Sequence, residues 1–152
     1  MEAFQMESFT AQIGSVDFIQ DNEVQSSYGV IRGLHFQEGS SAQAKLVRVL
    51  QGRIIDIVID LRPSSTTYMQ QFRVELGAEN KQQLFVPKGF AHGYAVVSEI
   101  ATVLYKVDAP YAPKSEGGIS PRDPQFLFDW GIPLEQQQIN ERDLNWPKYV
   151  KA

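Results

Sequence analysis

The groups with chemistry in them are two imidazoles and the residues spaced around each. The chain holds two histidines, His35 and His92, and no cysteine. Proton transfer near neutral pH therefore falls to imidazole, and thiolate chemistry is excluded. His35 stands in Arg32-Gly33-Leu34-His35-Phe36-Gln37. On a regular strand Arg32 and His35 face opposite sides, so a bulge at Gly33 is required to turn both into one pocket. The glycine also lets a second group approach the backbone closely. His92 closes Pro87-Lys88-Gly89-Phe90-Ala91-His92-Gly93, where a proline and two glycines shape a tight turn that enters a strand and aims the imidazole inward. Taken alone, each histidine is as readily a satisfied core residue, and Arg32 a surface charge. Two histidines bind a metal only with carboxylate help.

The elements that must position these groups read as short strands broken by turns. Tyr28 to Phe36 is apolar around Gly29 and Gly33. In Lys45 to Leu50 the residues Lys45, Val47 and Val49 share one face, which turns Lys45 inward, while Leu46, Arg48 and Leu50 share the other. Gln51-Gly52 is a turn signal, and the isoleucine-rich Arg53 to Leu61 follows, so the two segments predict a hairpin. Within that run Asp56 is placed to support a site and Asp60 to end the strand. Tyr68 to Leu76, Gln82 to Val86, Tyr94 to Val97 and Thr102 to Val107 carry the β-branched and aromatic content of strands. Helical pieces are expected only at Glu2 to Ile13 and Leu134 to Arg142. Six prolines from Pro110 onward predict an irregular tail wrapped over the barrel. The sum is an all-β sandwich or barrel with short helical pieces near the termini.

The chain of 152 residues fits one domain spanning 1–152, with no internal repeat or linker. A net charge of −4 and a pI near 5.2 argue against broad attraction to nucleic acid or membrane. They leave room for a local basic pocket. Met1 to Gln20 carries Glu2, Glu7 and Asp17 and no basic residue, unlike a secretory signal. With no cysteine either, a cytoplasmic protein is expected.

Pro87-x-Gly-x-x-His92 resembles the second motif of the cupin superfamily. Metal-binding cupins take His-x-His and a glutamate from their first motif; the matching place here is His35-Phe36-Gln37, which makes a metal site the weaker reading. A wider set of residues, in order, carries a narrower resemblance. It comprises Gln20-Asp-Asn22, Arg32-Gly-Leu-His35-Phe-Gln, Lys45-Leu-Val-Arg, Asp56-Ile-Val-Ile-Asp60-Leu-Arg, Ala78-Glu-Asn-Lys-Gln-Gln-Leu, Pro87-x-Gly-Phe-Ala-His92-Gly, Leu104-Tyr105-Lys and Tyr111-Ala-Pro. From about Phe18 to Asp143 the sequence resembles the dTDP-4-dehydrorhamnose 3,5-epimerase family. The family's Phe-x-Asp-x-Arg-Gly segment, part of an N-terminal arm that reaches the neighbouring subunit, has no match before Phe18. Nucleotide affinity, dimer stability and activity are the properties on which that difference bears. Where the family commonly has tryptophan before an Asp-Pro, this chain has Pro121-Arg122 before Asp123-Pro124, so the tail is expected to pack differently.

The resemblance implies a cupin-type jelly-roll barrel, a homodimer, a dTDP-linked sugar substrate, and neither metal nor organic cofactor. It implies His35 as general base, Asp143 as the group that orients it, Lys45 as the cation for the enolate and Tyr105 as general acid. Arg32, Gln20, Asn22, His92, Glu116 and Arg142 fall at substrate-contacting positions, and Tyr111 where an aromatic ring stacks on thymine. These residue types suit that reaction. A 4-keto sugar has acidified protons at carbons 3 and 5; inverting them needs a base on one face, an acid on the other and a cation for the oxygen. No redox step is needed, in keeping with the lack of a dinucleotide glycine motif. Three other readings stay open: an epimerase acting at one carbon of a related sugar nucleotide, a cupin that binds a sugar nucleotide without turning it over, and a metal cupin.

Overall fold

A computed structural model describes residues 2–150, and in it the β-branched and aromatic runs are strands. Helix α1 (Met6–Ile13) precedes β1 (Gln20–Ser27), β2 (Val30–Gln37), β3 (Lys45–Gln51), β4 (Arg53–Asp60), β5 (Gln71–Gly77) and β6 (Gln83–Val86). Then come β7 (Phe90–Val96), β8 (Ile100–Val107), β9 (Glu116–Gly118), β10 (Gln138–Ile139) and the single-turn helix α2 (Glu141–Leu144). One sheet has the order β1-β8-β3-β6 and the other β10-β2-β7-β4-β5, with β9 along β2. All pairings are antiparallel except β10 on β2. This is the all-β jelly-roll architecture expected.

Strand β4 shows why the sequence looks as it does. Ile54 and Val58 pack between the sheets with Val47, Val49, Val96 and Val103. Ile55, Ile57 and Ile59 pack on the opposite face beneath Ile119, Phe126, Trp130 and Ile132 of the proline-rich tail. A strand buried on both faces has no polar alternation to show. Asp56 belongs to the inward face. Asp60 does end the strand, and its buried carboxylate accepts from Arg62, Ser65 and Thr67.

Three expectations are corrected. First, β3 and β4 do not form a hairpin: β3 pairs with β6 and β8, β4 with β5 and β7. Gln51-Gly52 is a corner that carries the chain from one sheet to the other. Gly52 has φ +73°, and a Cβ there would lie 2.0 Å from the Ile100 carbonyl oxygen, so the glycine signal was real but served a different turn. Second, Leu134 to Arg142 is not one helix. A 3-10 turn at Leu134–Gln136 gives way to β10 and then α2, because the chain must reach β2 and add two residues to its edge. Third, β1 was not anticipated. Its residues Gln-Asp-Asn-Glu-Val-Gln-Ser-Ser are polar because it is an edge strand with one face in solvent. Around Asp123-Pro124 the buried Trp130 donates its indole N–H to the Pro121 carbonyl.

Candidate active site

The required bulge is present. The pairing of β2 with β7 slips between Arg32 and His35. Gly33, at the slip, has φ +106°, and a Cβ there would lie 2.6 Å from the His92 carbonyl oxygen. Arg32 and His35 consequently both line one pocket of about 260 Å³.

Asp143 reaches His35 from the far end of the chain. Asn140 caps α2, its Oδ1 accepting from the Asp143 amide at 2.7 Å and its Nδ2 donating to Asp143 Oδ2 at 2.9 Å. The Gly33 amide also donates to Oδ2, at 3.0 Å, and His35 Nε2 lies 2.6 Å from Oδ1. Burial alone would raise the Asp143 pKa; the bonds from His35, Gly33 and Asn140 outweigh it and leave the carboxyl below its usual value. In the neutral imidazole, a hydrogen bond donated from Nε2 to this carboxylate leaves the Nδ1 lone pair free.

A second pair stands beside the first. His92 is the strand partner of His35, and its Nε2 lies 2.9 Å from Asp56 Oδ2. Asp56 is wholly buried, and its Oδ1 has no hydrogen-bond partner.

The opposite wall belongs to the other sheet. Lys45 and Tyr105 extend into the same pocket from β3 and β8, where Val47 faces Tyr105 and Lys45 faces Val107. Lys45 is inward, as its side-mates Val47 and Val49 predicted. Burial pulls its pKa down to about 8, against the raising fields of Asp56 and Glu116. Burial likewise raises Tyr105, with Arg32 opposing, so its hydroxyl keeps its proton at neutral pH.

At the mouth, Tyr111 is 58% exposed. Its hydroxyl donates to Glu116 Oε2 at 2.6 Å, and Arg142 pairs with the same oxygen. Tyr111 and Glu116 line the pocket; Arg142, Gln20 and Asn22 do not. Gln20 donates to Asn22 at 2.8 Å on β1, where Asn22 is the strand partner of Tyr105 and Val24, two residues on, lines the pocket. These two residues continue the pocket-facing side of β1 toward its rim.

Four polar lining residues were not assigned to the site from the sequence. Tyr94 is buried on β7 and pushed up to about 12, first by burial. Asn140 positions Asp143 as a helix cap, a signal available in Asn140-Glu141-Arg142-Asp143. Gln43 and Gln37 donate to tail carbonyls, Gln43 to Ala109 and Gln37 to Pro110. The Gln37 amide oxygen also accepts from the Ala112 amide at 2.7 Å. The position that supplies a metal ligand in metal cupins here anchors the tail. Among the described residues no three His, Asp or Glu side chains are grouped as metal ligands.

Comparison with known proteins bears on this geometry. The family model described as dTDP-4-dehydrorhamnose 3,5-epimerase matches residues 1–151, so the likeness extends through α1 beyond the stretch quoted above. The Escherichia coli (strain K12) dTDP-4-dehydrorhamnose 3,5-epimerase is 46% identical over 130 residues, 85% of this chain and 70% of that protein. The crystal structure of the enzyme of that name from Elizabethkingia anophelis superposes with TM-score 0.94 at 45% identity, covering 97% of this chain and 81% of that one. The Legionella pneumophila dTDP-6-deoxy-D-glucose-3,5-epimerase, solved in complex with dTDP-4-keto-L-rhamnose, gives 0.88 at 40% identity, covering 98% and 85%.

Proposed function

Because the chain belongs to the dTDP-4-dehydrorhamnose 3,5-epimerase family, we propose that it inverts carbons 3 and 5 of dTDP-4-dehydro-6-deoxy-D-glucose, giving dTDP-4-dehydro-L-rhamnose for deoxysugar biosynthesis. One observation supports the assignment of roles above all: His35, held by Asp143 of α2, stands on one sheet, and Lys45 and Tyr105 stand on the other, around a single pocket. A sugar ring between the sheets presents one face to the imidazole and the other to the phenol.

His35 Nδ1 takes the proton beside the ketone while Asp143 holds the tautomer and favours the imidazolium that forms. The Lys45 ammonium carries the enolate oxygen, a contact that strengthens as charge develops. Tyr105 returns a proton from the far face, which inverts the carbon. Arg32 and His92 hold the diphosphate and sugar, with Gln20 and Asn22 at the rim. Tyr111, fixed by Glu116 and Arg142, stacks on the thymine. The reaction uses no metal and no organic cofactor, and it runs in a cytoplasmic homodimer. The outer edges of β1 and β5 have no strand partner among the described residues, and Phe72 on β5 is exposed; a second copy would cover such edges. No helix of the described residues is long and apolar enough to cross a membrane.

Incubation with the keto sugar nucleotide in heavy water tests the reading. Deuterium at carbons 3 and 5 of an L-configured product is expected; a folded, dTDP-binding protein that exchanges neither carbon would contradict it.

A further inference from the structure

Lys45 differs from the other described lysines. Lys88 pairs with Asp108 and Lys106 with Asp21, while Lys81, Lys114 and Lys148 are exposed to solvent. Lys45 has neither a hydrogen bond nor an ion pair among the described residues, although it lines the pocket. Arg32, in the same pocket, donates only to the Ser26 hydroxyl, at 3.1 and 3.2 Å. Two cations without an ion-pair partner thus face one cavity in a chain of net charge −4. The titratable groups around Lys45 are Arg32 and His35 on β2, Asp56 on β4, His92 and Tyr94 on β7, Tyr105 on β8, Glu116 on β9, Tyr111 at the mouth and Asp143 on α2.

We propose that Lys45 is a carbonyl-capture site, at which small aldehydes bearing a phosphate seat the anion on Arg32 and condense with the lysine amine. The nitrogen adds to the carbonyl carbon to give a carbinolamine. One amine proton is released, the carbinolamine hydroxyl takes up a proton and leaves as water, and a C=N bond remains. Aldehyde and amine become imine and water, with no oxidant or reductant. Burial supports the step from the side of the nucleophile. An amine that titrates near 8 is uncharged near neutrality on the order of a hundredfold more often than an ordinary lysine. The inference goes beyond the epimerase reading and uses the other protonation state: the enolate needs the ammonium, and capture needs the amine.

Pyridoxal phosphate followed by borohydride, which reduces the imine to a stable secondary amine, tests it on the wild-type protein. Peptide mapping by mass spectrometry should place the label on Lys45 roughly tenfold or more faster than on Lys81, Lys114 or Lys148. Lys45→Arg should lose that label; the wild-type map stands by itself should the variant fold poorly. Excess dTDP should slow the reaction. Labelling of Lys45 that dTDP does not slow supports capture and counts against the nucleotide seat proposed above. Label spread over the exposed lysines with Lys45 unmodified would overturn the inference.

Discussion

His35 and His92 are strand partners, and each offers Nε2 to an aspartate, yet the two carboxylates are held in different ways. Asp143 arrives on a single-turn helix from the end of the chain, and both of its oxygens are bonded, to His35 on one side and to Gly33 and Asn140 on the other. Asp56 comes from the middle of β4 and has one oxygen on His92 and the other on nothing. The histidines differ to match: the His35 side chain is 30% exposed, and that of His92 is 8% exposed. A saturated carboxylate fixes the direction of one imidazole. An unsaturated, buried one leaves its charge to act on its surroundings, and Lys45 is a group that feels it. In the proposed reaction the first pair serves proton transfer, while the second sets the field that Lys45 feels.

The contrast is open to breakage at each end. His35→Ala should give the largest effect, a loss of roughly 10²–10⁴-fold in solvent exchange at carbon 5. Proton NMR in heavy water reads it, and an equal loss from His92→Ala would erase the distinction. Asp143→Asn should cost less, roughly 10–100-fold in kcat, because the base remains and only its support changes. Tyr111→Ala lies outside both pairs. It should weaken dTDP binding by about 1–3 kcal/mol in a titration, the usual worth of base stacking, and leave exchange per bound substrate nearly intact.

Asp56→Asn should be the smallest at neutral pH and the most telling above it. In the wild type, kcat/KM should fall as pH rises through about 8, where the Lys45 ammonium loses its proton. The Asp56 charge raises that pKa, so its removal should move the falling limb to lower pH. A pH–rate profile whose limb stays in place would show that the second pair does not serve Lys45. Dialysis against EDTA should leave all these rates unchanged; loss of turnover restored by zinc, iron or manganese would put a metal in the site.

What was readable in the sequence follows a physical line. Local rules placed the β-branched strands, the Gly33 bulge and the inward face of Lys45, since each depends on neighbours a few residues away. The β3–β4 hairpin failed because Gln51-Gly52 specifies a turn but not which sheet the next strand joins, a choice made by burial on both faces of β4. Edge strand β1 carries too little apolar residue to register. For the site, the roles of His35 and Asp143 came from resemblance. No periodicity joins residues 108 apart. The unpaired oxygen of Asp56 and the burial of Tyr94 belong to packing and are visible only in three dimensions.

The central claim is that base and acid stand on opposite walls. Tyr105→Phe removes the acid and leaves His35, Asp143 and Lys45 in place, so the stereochemistry of solvent exchange tests it most directly. In heavy water the variant should still take up deuterium beside the ketone but with retained configuration, while the wild type takes up deuterium with inversion. Inversion by Tyr105→Phe at the wild-type rate would contradict the account.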